Sequence, residues 1–219
     1  MPFMQWIILD LGYHMVCMAT LQVLMEWWTM SLNSMKEVRD LPHFLLGQSM
    51  GGAVALKVHL KQQKEWDGVL LVAPMCKISE DVTPPAPVLK ALSILSCFLP
   101  EAKLFPQKDI GDLAFRDPRK RKVAEYNVIS YADQMRLRTA VELLKATKDI
   151  ESQLEKISSP LLILHGAADM VTDPQVSKFL YEKASTKDRT LKLYEGSYHS
   201  VLEGEPDDRI STAIKDTVE

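Results

Sequence analysis

The chain has 219 residues, 47% hydrophobic and 25% charged, with a net charge of −3. That length holds one globular core with room for an insertion. The weak negative balance supplies no basic field for nucleic acid and no acidic tail. Three cysteines, Cys17, Cys76 and Cys97, follow no metal-ligand spacing and leave an odd thiol, which points to a reducing compartment. No apolar run reaches the roughly eighteen residues that a membrane span needs, and the N-terminus lacks the basic region of a secretory leader.

Residues 1–40 form an atypical segment. Seven methionines (Met1, Met4, Met15, Met18, Met25, Met30, Met35) and Trp6, Trp27 and Trp28 crowd into it. Asp10, His14, Gln22 and Glu26 interrupt the apolar residues, so neither a period of 2 nor one of 3.6 emerges. An irregular amphipathic helix near Thr20 to Val38 is the plain expectation.

From Leu41 the pattern becomes regular. Leu41 to Gln48 reads as a strand, Met50 to Lys61 as a helix with Ala53, Val54, Leu56, Val58 and Leu60 on its apolar side, and Trp66-Asp67-Gly68 as a turn. Val69 to Ala73 is a continuous apolar run bounded by Gly68 and Pro74, as a buried parallel strand should be. Strand, helix and strand over this length predict a right-handed βαβ unit.

Prolines 84, 85, 87, 100, 106 and 118 then punctuate Met75 to Arg119, around an apolar helical pattern from Val88 to Leu99. A charged segment from Arg116 to Glu125 follows, and helical periodicity runs from Gln134 to Ile157. Residues 76–145 therefore read as a helical insertion, and residues 41–75 and 146–219 as the α/β core. Leu161 to His165 is a second buried strand, ending in Gly166-Ala167-Ala168-Asp169. Asp173-Pro174 starts a helix, with Asp173 as N-cap and proline at the first position. Thr190 to Tyr194 reads as the last strand. Gly196-Ser197-Tyr198-His199 follows it, and an acidic loop from Glu203 to Asp208 opens the final helix.

Gly47-Gln48-Ser49-Met50-Gly51 joins the first of these strands to its helix. G-x-S-x-G at that junction is the nucleophile elbow, a strained turn that lifts a serine hydroxyl off the edge of a sheet. A serine needs a general base, and the base needs an orienting carboxylate. Ser49, Asp169 and His199 occur in that chain order, each on a loop directly after a predicted strand. Parallel strands bring such loops to one rim. Asp173 competes for the acid role but already has a capping job, so Asp169 is the expected acid. His165, at the end of its strand, is either a supporting or a merely packed residue. The backbone N–H of Met50 is the expected oxyanion donor. No HG-rich stretch precedes Ser49 to supply the second one, and loss of one donor costs about a hundred- to a thousandfold in rate.

GQSMGGAVALKVHLKQ, WDGVLLVAPMCKIS, YNVISY, LLILHGAADMVTDPQVSKFLYEKAS and LYEGSYHSVLEGEPDD resemble the plant monoacylglycerol lipase-like family, which includes caffeoylshikimate esterases. The resemblance runs from Leu41 to about Ile210. It implies an α/β-hydrolase core, a mostly parallel sheet flanked by helices, with a helical cap that covers the serine and shapes an acyl pocket. It implies hydrolysis of a small-molecule ester (a monoacylglycerol, a lysophospholipid or a phenolic ester) with no cofactor and no metal. It also implies a cytoplasmic protein with peripheral membrane contact through the cap. The family's first strands and its HG-type loop are missing from this sequence. That predicts an exposed sheet edge and lower stability than full-length relatives. A catalytically impaired paralogue that binds a ligand under its cap is the competing reading. A peptidase or acyltransferase would share the same three residues.

The resemblance also bears on residues 1–40. A reading frame moved by one nucleotide forces Met4-Gln5 to Ala, Trp6-Ile7 to Asp and Met15-Val16 to Gly. The remaining codons permit AMDYPGFGLS and GLHGYIPSFD, similar to the family's segment before the nucleophile strand. Residues 1–33 are therefore read as an out-of-frame translation, never selected to fold. Sequencing the transcript decides this: a transcript that encodes Met1 to Leu41 in one uninterrupted frame would end the idea.

Overall fold

The computed structural model describes residues 5–9, 42–78, 83–104, 110–126 and 134–218. A five-stranded parallel sheet runs β1 (Gln5–Leu9), β2 (His43–Gln48), β3 (Gly68–Val72), β4 (Leu161–Gly166) and β5 (Arg189–Tyr194), in spatial order β1-β2-β3-β4-β5. Seven α-helices lie among the described residues: α1 (Met50–Lys61), α2 (Ala86–Phe98), α3 (Gly111–Ala114), α4 (Pro118–Glu125), α5 (Leu137–Glu151), α6 (Pro174–Lys183) and α7 (Asp207–Val218). Helices α2 to α5 fall between β3 and β4 in the chain, and the expected boundary at residues 145/146 lies inside α5, whose Leu143 and Ile150 join the main core.

The continuous apolar runs have a direct explanation. Alternate residues of a strand point to opposite faces. Val69 and Leu71 of β3, with Leu161 and Ile163 of β4, join one cluster with Leu56, Val58, Ile150 and Leu180 from α1, α5 and α6. Leu70, Val72 and Leu164 join a smaller cluster on the other face, with Val201 and with Ala213 of α7. Every residue of β3 is buried because both faces are covered. Removing a fully buried leucine such as Leu71 or Leu56 from this core costs about 2–5 kcal/mol when it is cut to alanine.

Two elements differ from expectation. Gln5–Leu9 is a strand, although the segment shows no clean alternation. It pairs in parallel with β2, from Gln5 opposite His43 to Leu9 opposite Gly47. An apolar stretch with two adjacent isoleucines suffices for strand pairing where the neighbouring strand presents a free edge. The edge beside the elbow strand is therefore β1, not β2. The short helix α3 had no sequence signal, four residues being too few for a period. The helix expected at Thr20 to Val38 lies outside the described residues.

Candidate active site

Parallel strands end at one rim, and β2, β4 and β5 deliver their following loops there. Ser49 follows β2 directly, at φ 52° and ψ −119°, a backbone conformation that L-residues seldom adopt. Its amide donates to the Val72 carbonyl at 2.9 Å, and its own carbonyl accepts from Gly52 N at 3.0 Å and Met75 N at 2.9 Å. These bonds tie the elbow to the end of β3. Gly47 makes the turn sterically feasible: a Cβ there would stand 2.5 Å from the Gly51 carbonyl oxygen. Met50 opens α1, and a helix leaves its first amide groups without intrahelical acceptors.

Asp169 lies on the loop after β4, with a fully buried side chain. Oδ1 accepts from Val171 N at 2.7 Å and Thr172 N at 3.0 Å. Oδ2 lies 2.7 Å from His199 Nδ1, 2.8 Å from Thr172 Oγ1 and 3.1 Å from His165 Nε2. Burial alone would push this carboxyl up. The hydrogen bonds from His165 and His199, the charge interaction with His199 and the Val171 amide outweigh it, and hold Asp169 well below the ordinary carboxylate range.

His199 is buried on the loop after β5. Its Nδ1 faces Asp169, while its Nε2 has no hydrogen-bond partner among the described residues. The loop itself is pinned on several sides. Tyr198 N donates to Glu205 Oε1 at 2.6 Å, Arg209 Nη1 to the Glu195 carbonyl at 2.8 Å, and Ala168 N to the Ser197 carbonyl at 3.0 Å. Glu205 is itself almost fully buried.

Thr172 links the two halves of the rim. Its hydroxyl sits 3.3 Å from the Ala73 carbonyl, next in sequence to the residue that receives the Ser49 amide, and 3.2 Å from His199 Nδ1. Asp173 is exposed and caps α6 by accepting from Gln175 N at 2.8 Å. The other described histidines lie elsewhere: His43 N donates to Asp67 Oδ2 at 2.7 Å, and His59 is buried in α1. A cleft of about 600 Å³ is lined by Phe115, Lys120, Val123, Ala124, Tyr126 and Glu203, and not by Ser49, Asp169 or His199. Gln48, beside Ser49, donates to Glu203 Oε1 at 3.3 Å.

A hydroxyl-bearing elbow and a buried carboxylate–imidazole pair share one sheet rim. Residues 19–207 match the family described as serine aminopeptidase, S33. The chain belongs to this family. Among curated relatives, the caffeoylshikimate esterase of Arabidopsis thaliana is 40% identical over 179 residues, which is 81% of this chain and 54% of that protein. The monoglyceride lipase of Homo sapiens is 33% identical over 166 residues, 75% of this chain and 53% of that protein. The chain thus spans about half the length of the curated relatives it matches. Among solved structures, the monoacylglycerol lipase of Paleococcus ferrophilus superposes with a TM-score of 0.74 at 22% identity, covering 91% of this chain and 75% of that one. A soluble variant of the Saccharomyces cerevisiae monoglyceride lipase, solved with a substrate analogue, gives 0.73 at 21% identity, covering 90% and 66%. These likenesses give the fold, which is that of the α/β-hydrolases.

Sequence reasoning misses one residue of the rim. Thr172 carries no motif signal, and only its position three residues after Asp169 could mark it. For His165 the sequence leaves a supporting and a packing role open; its contacts with Asp169 and Thr172 distinguish it from an ordinary core histidine.

Proposed function

We propose that this chain is a serine hydrolase that cleaves carboxylic esters through Ser49, His199 and Asp169. The observation that carries the reading is the 2.7 Å contact between Asp169 Oδ2 and His199 Nδ1, with the opposite ring nitrogen left unpartnered among the described residues. An imidazole held this way carries its hydrogen on Nδ1 and offers a lone pair at Nε2.

Ser49 Oγ attacks the ester carbonyl while His199 Nε2 takes its proton. The tetrahedral oxyanion forms beside the Met50 N–H, which stabilises charge absent from the ground state. Its collapse expels the alcohol, protonated by His199, and leaves an acyl-Ser49. Water, deprotonated by His199, then releases the carboxylic acid. Asp169 stays ionised throughout, holding the ring and stabilising the imidazolium. The names of the curated relatives, a caffeoylshikimate esterase and a monoglyceride lipase, support a phenolic ester or a monoacylglycerol as substrate; a lysophospholipid rests on the sequence resemblance alone. The helices between β3 and β4 serve as the cap and its membrane-facing side; α2 exposes Val88, Ile94 and Phe98 there.

The test is hydrolysis of a monoacylglycerol and of a phenolic ester by the full chain, beside Ser49→Ala and His199→Ala. Turnover lost in both variants is expected. A folded wild-type chain that turns over neither ester, or a Ser49→Ala chain that retains activity, would contradict the proposal and favour a non-catalytic binding role.

A further inference from the structure

Asp169 is shared by two imidazoles, and only one has a part in the reaction above. His165 is the penultimate residue of β4 and has a fully buried side chain. Its Nε2 lies 3.1 Å from Asp169 Oδ2 and 3.1 Å from the Thr172 carbonyl oxygen, and its Nδ1 lies 2.6 Å from Ser177 Oγ. A carboxylate and a carbonyl only accept hydrogen bonds, so Nε2 carries the hydrogen. In the neutral ring Nδ1 is then the acceptor, and the Ser177 hydroxyl is its donor. Ser177, on α6, is fully buried too.

We propose that His165 is a positioning residue for the acid: Ser177 fixes its tautomer, and its Nε2–H, directed at the Thr172 carbonyl, clasps the Asp169–Thr172 turn and keeps Asp169 Oδ2 against His199 Nδ1. The proposal rests on the reading of Asp169 and His199 as acid and base. A carboxylate turns readily about its last torsion unless each oxygen is held. The Val171 and Thr172 amides fix Oδ1. Oδ2 faces the Thr172 hydroxyl, which has one hydrogen and also lies near the Ala73 carbonyl and His199 Nδ1. His165 Nε2 is the other group at Oδ2 from outside the catalytic histidine: its hydrogen meets the Thr172 carbonyl at 3.1 Å, on the turn that carries Asp169, and the ring edge stands 3.1 Å from Oδ2. It steadies the turn that carries the oxygen toward which His199 must point, and it comes from the rigid end of a central strand rather than from a loop.

The test uses the full chain with ¹⁵N-labelled histidine, together with His165→Leu, His165→Gln and Ser177→Ala. Ring-nitrogen spectra of the wild type should show His165 as the Nε2–H tautomer. A downfield proton on His199 Nδ1 should persist in His165→Gln, whose amide replaces the donor, and disappear or shift in His165→Leu. The rate of reaction with a fluorophosphonate probe should fall about ten- to a hundredfold in His165→Leu and stay within about threefold of wild type in His165→Gln. Ser177→Ala should move the His165 Nδ1 resonance to that of an unbonded ring nitrogen. The Nδ1–H tautomer at His165 would overturn the proposal. So would a His165→Leu chain with wild-type melting, proton signal and rate, or a His165→Gln chain as impaired as His165→Leu. An unmoved Nδ1 resonance in Ser177→Ala would overturn the part given to Ser177. If the wild type does not react with the probe at all, the ester-hydrolase reading fails separately. The ring spectra still decide the role of His165, also where His165→Leu does not fold.

Discussion

A Cβ placed on Gly166 would stand 2.1 Å from the carbonyl oxygen of Tyr198. The last residue of β4 and the residue before His199 are therefore packed backbone to backbone, which brings the Asp169 loop and the His199 loop together. Gly166→Ala should push the His199 loop away. A displacement of about 1 Å at a reacting group costs on the order of a hundredfold in rate. The overpacking itself should cost about 1–3 kcal/mol of stability. Probe kinetics and urea unfolding measure the two effects; a wild-type rate in a folded Gly166→Ala chain would contradict the account.

Asp169 and Asp173 stand four residues apart and should respond in opposite ways. Asp169→Asn removes the charge facing His199 and lets the ring take the wrong tautomer, so esterase activity should fall by about a thousandfold or more. Asp173→Ala should leave activity intact and cost about 1 kcal/mol, because it deletes an N-cap whose carboxylate accepts the Gln175 amide. Initial rates and chemical unfolding of both variants check this. Activity lost in Asp173→Ala and kept in Asp169→Asn would reverse the assignment of the acid.

Much of this arrangement is legible in the sequence because the α/β core writes itself in continuous apolar runs. Val69 to Val72 and Leu161 to Leu164 fill both faces of the sheet, and such runs have no other comfortable place. Asp173-Pro174 marks the start of α6, and the glycines around Ser49 mark the elbow. What escapes depends on neighbours rather than on local pattern. Gln5–Leu9 is a strand because β2 offers an edge, not because its residues alternate. His165 and Thr172 gain their meaning only from distances to Asp169, which no spacing rule encodes. Residues 10–41, where a second oxyanion donor would be expected, lie outside the described residues.

The elbow stores strain that can be measured. Ser49 sits at φ 52°, where a Cβ is disfavoured. Ser49→Gly should raise stability by about 1 kcal/mol while abolishing ester hydrolysis. Ser49→Ala should abolish hydrolysis equally but leave stability near that of the wild type, since it keeps the Cβ. Thermal melting of the three proteins separates the two effects. Equal melting of Ser49→Gly and Ser49→Ala would show that the turn is unstrained.

His59 predicts a pH dependence away from the active site. It is fully buried in α1, its Nε2 accepts the Ser158 amide at 3.3 Å, and burial lowers its pKa from 6.5 to about 4. Between those values the unfolded chain binds a proton that the folded chain does not, so stability rises with pH across this window and is lost on acidification. The loss should be on the order of 2 kcal/mol from about pH 7 to about pH 4. His59→Leu should flatten this component, lowering stability at neutral pH by leaving the Ser158 amide unpaired but reducing the dependence on pH. Urea midpoints of wild type and variant at about pH 7, 6 and 5 provide the comparison. Parallel curves would exclude His59 as the source.

The proposed serine chemistry is tested most directly by exposing the folded full chain to a fluorophosphonate and mapping the modified peptide by mass spectrometry. The account predicts one covalent adduct on Ser49, absent from Ser49→Ala and strongly slowed in His199→Ala. A folded wild-type chain that remains unmodified, or one that carries the adduct on a different residue, would contradict it.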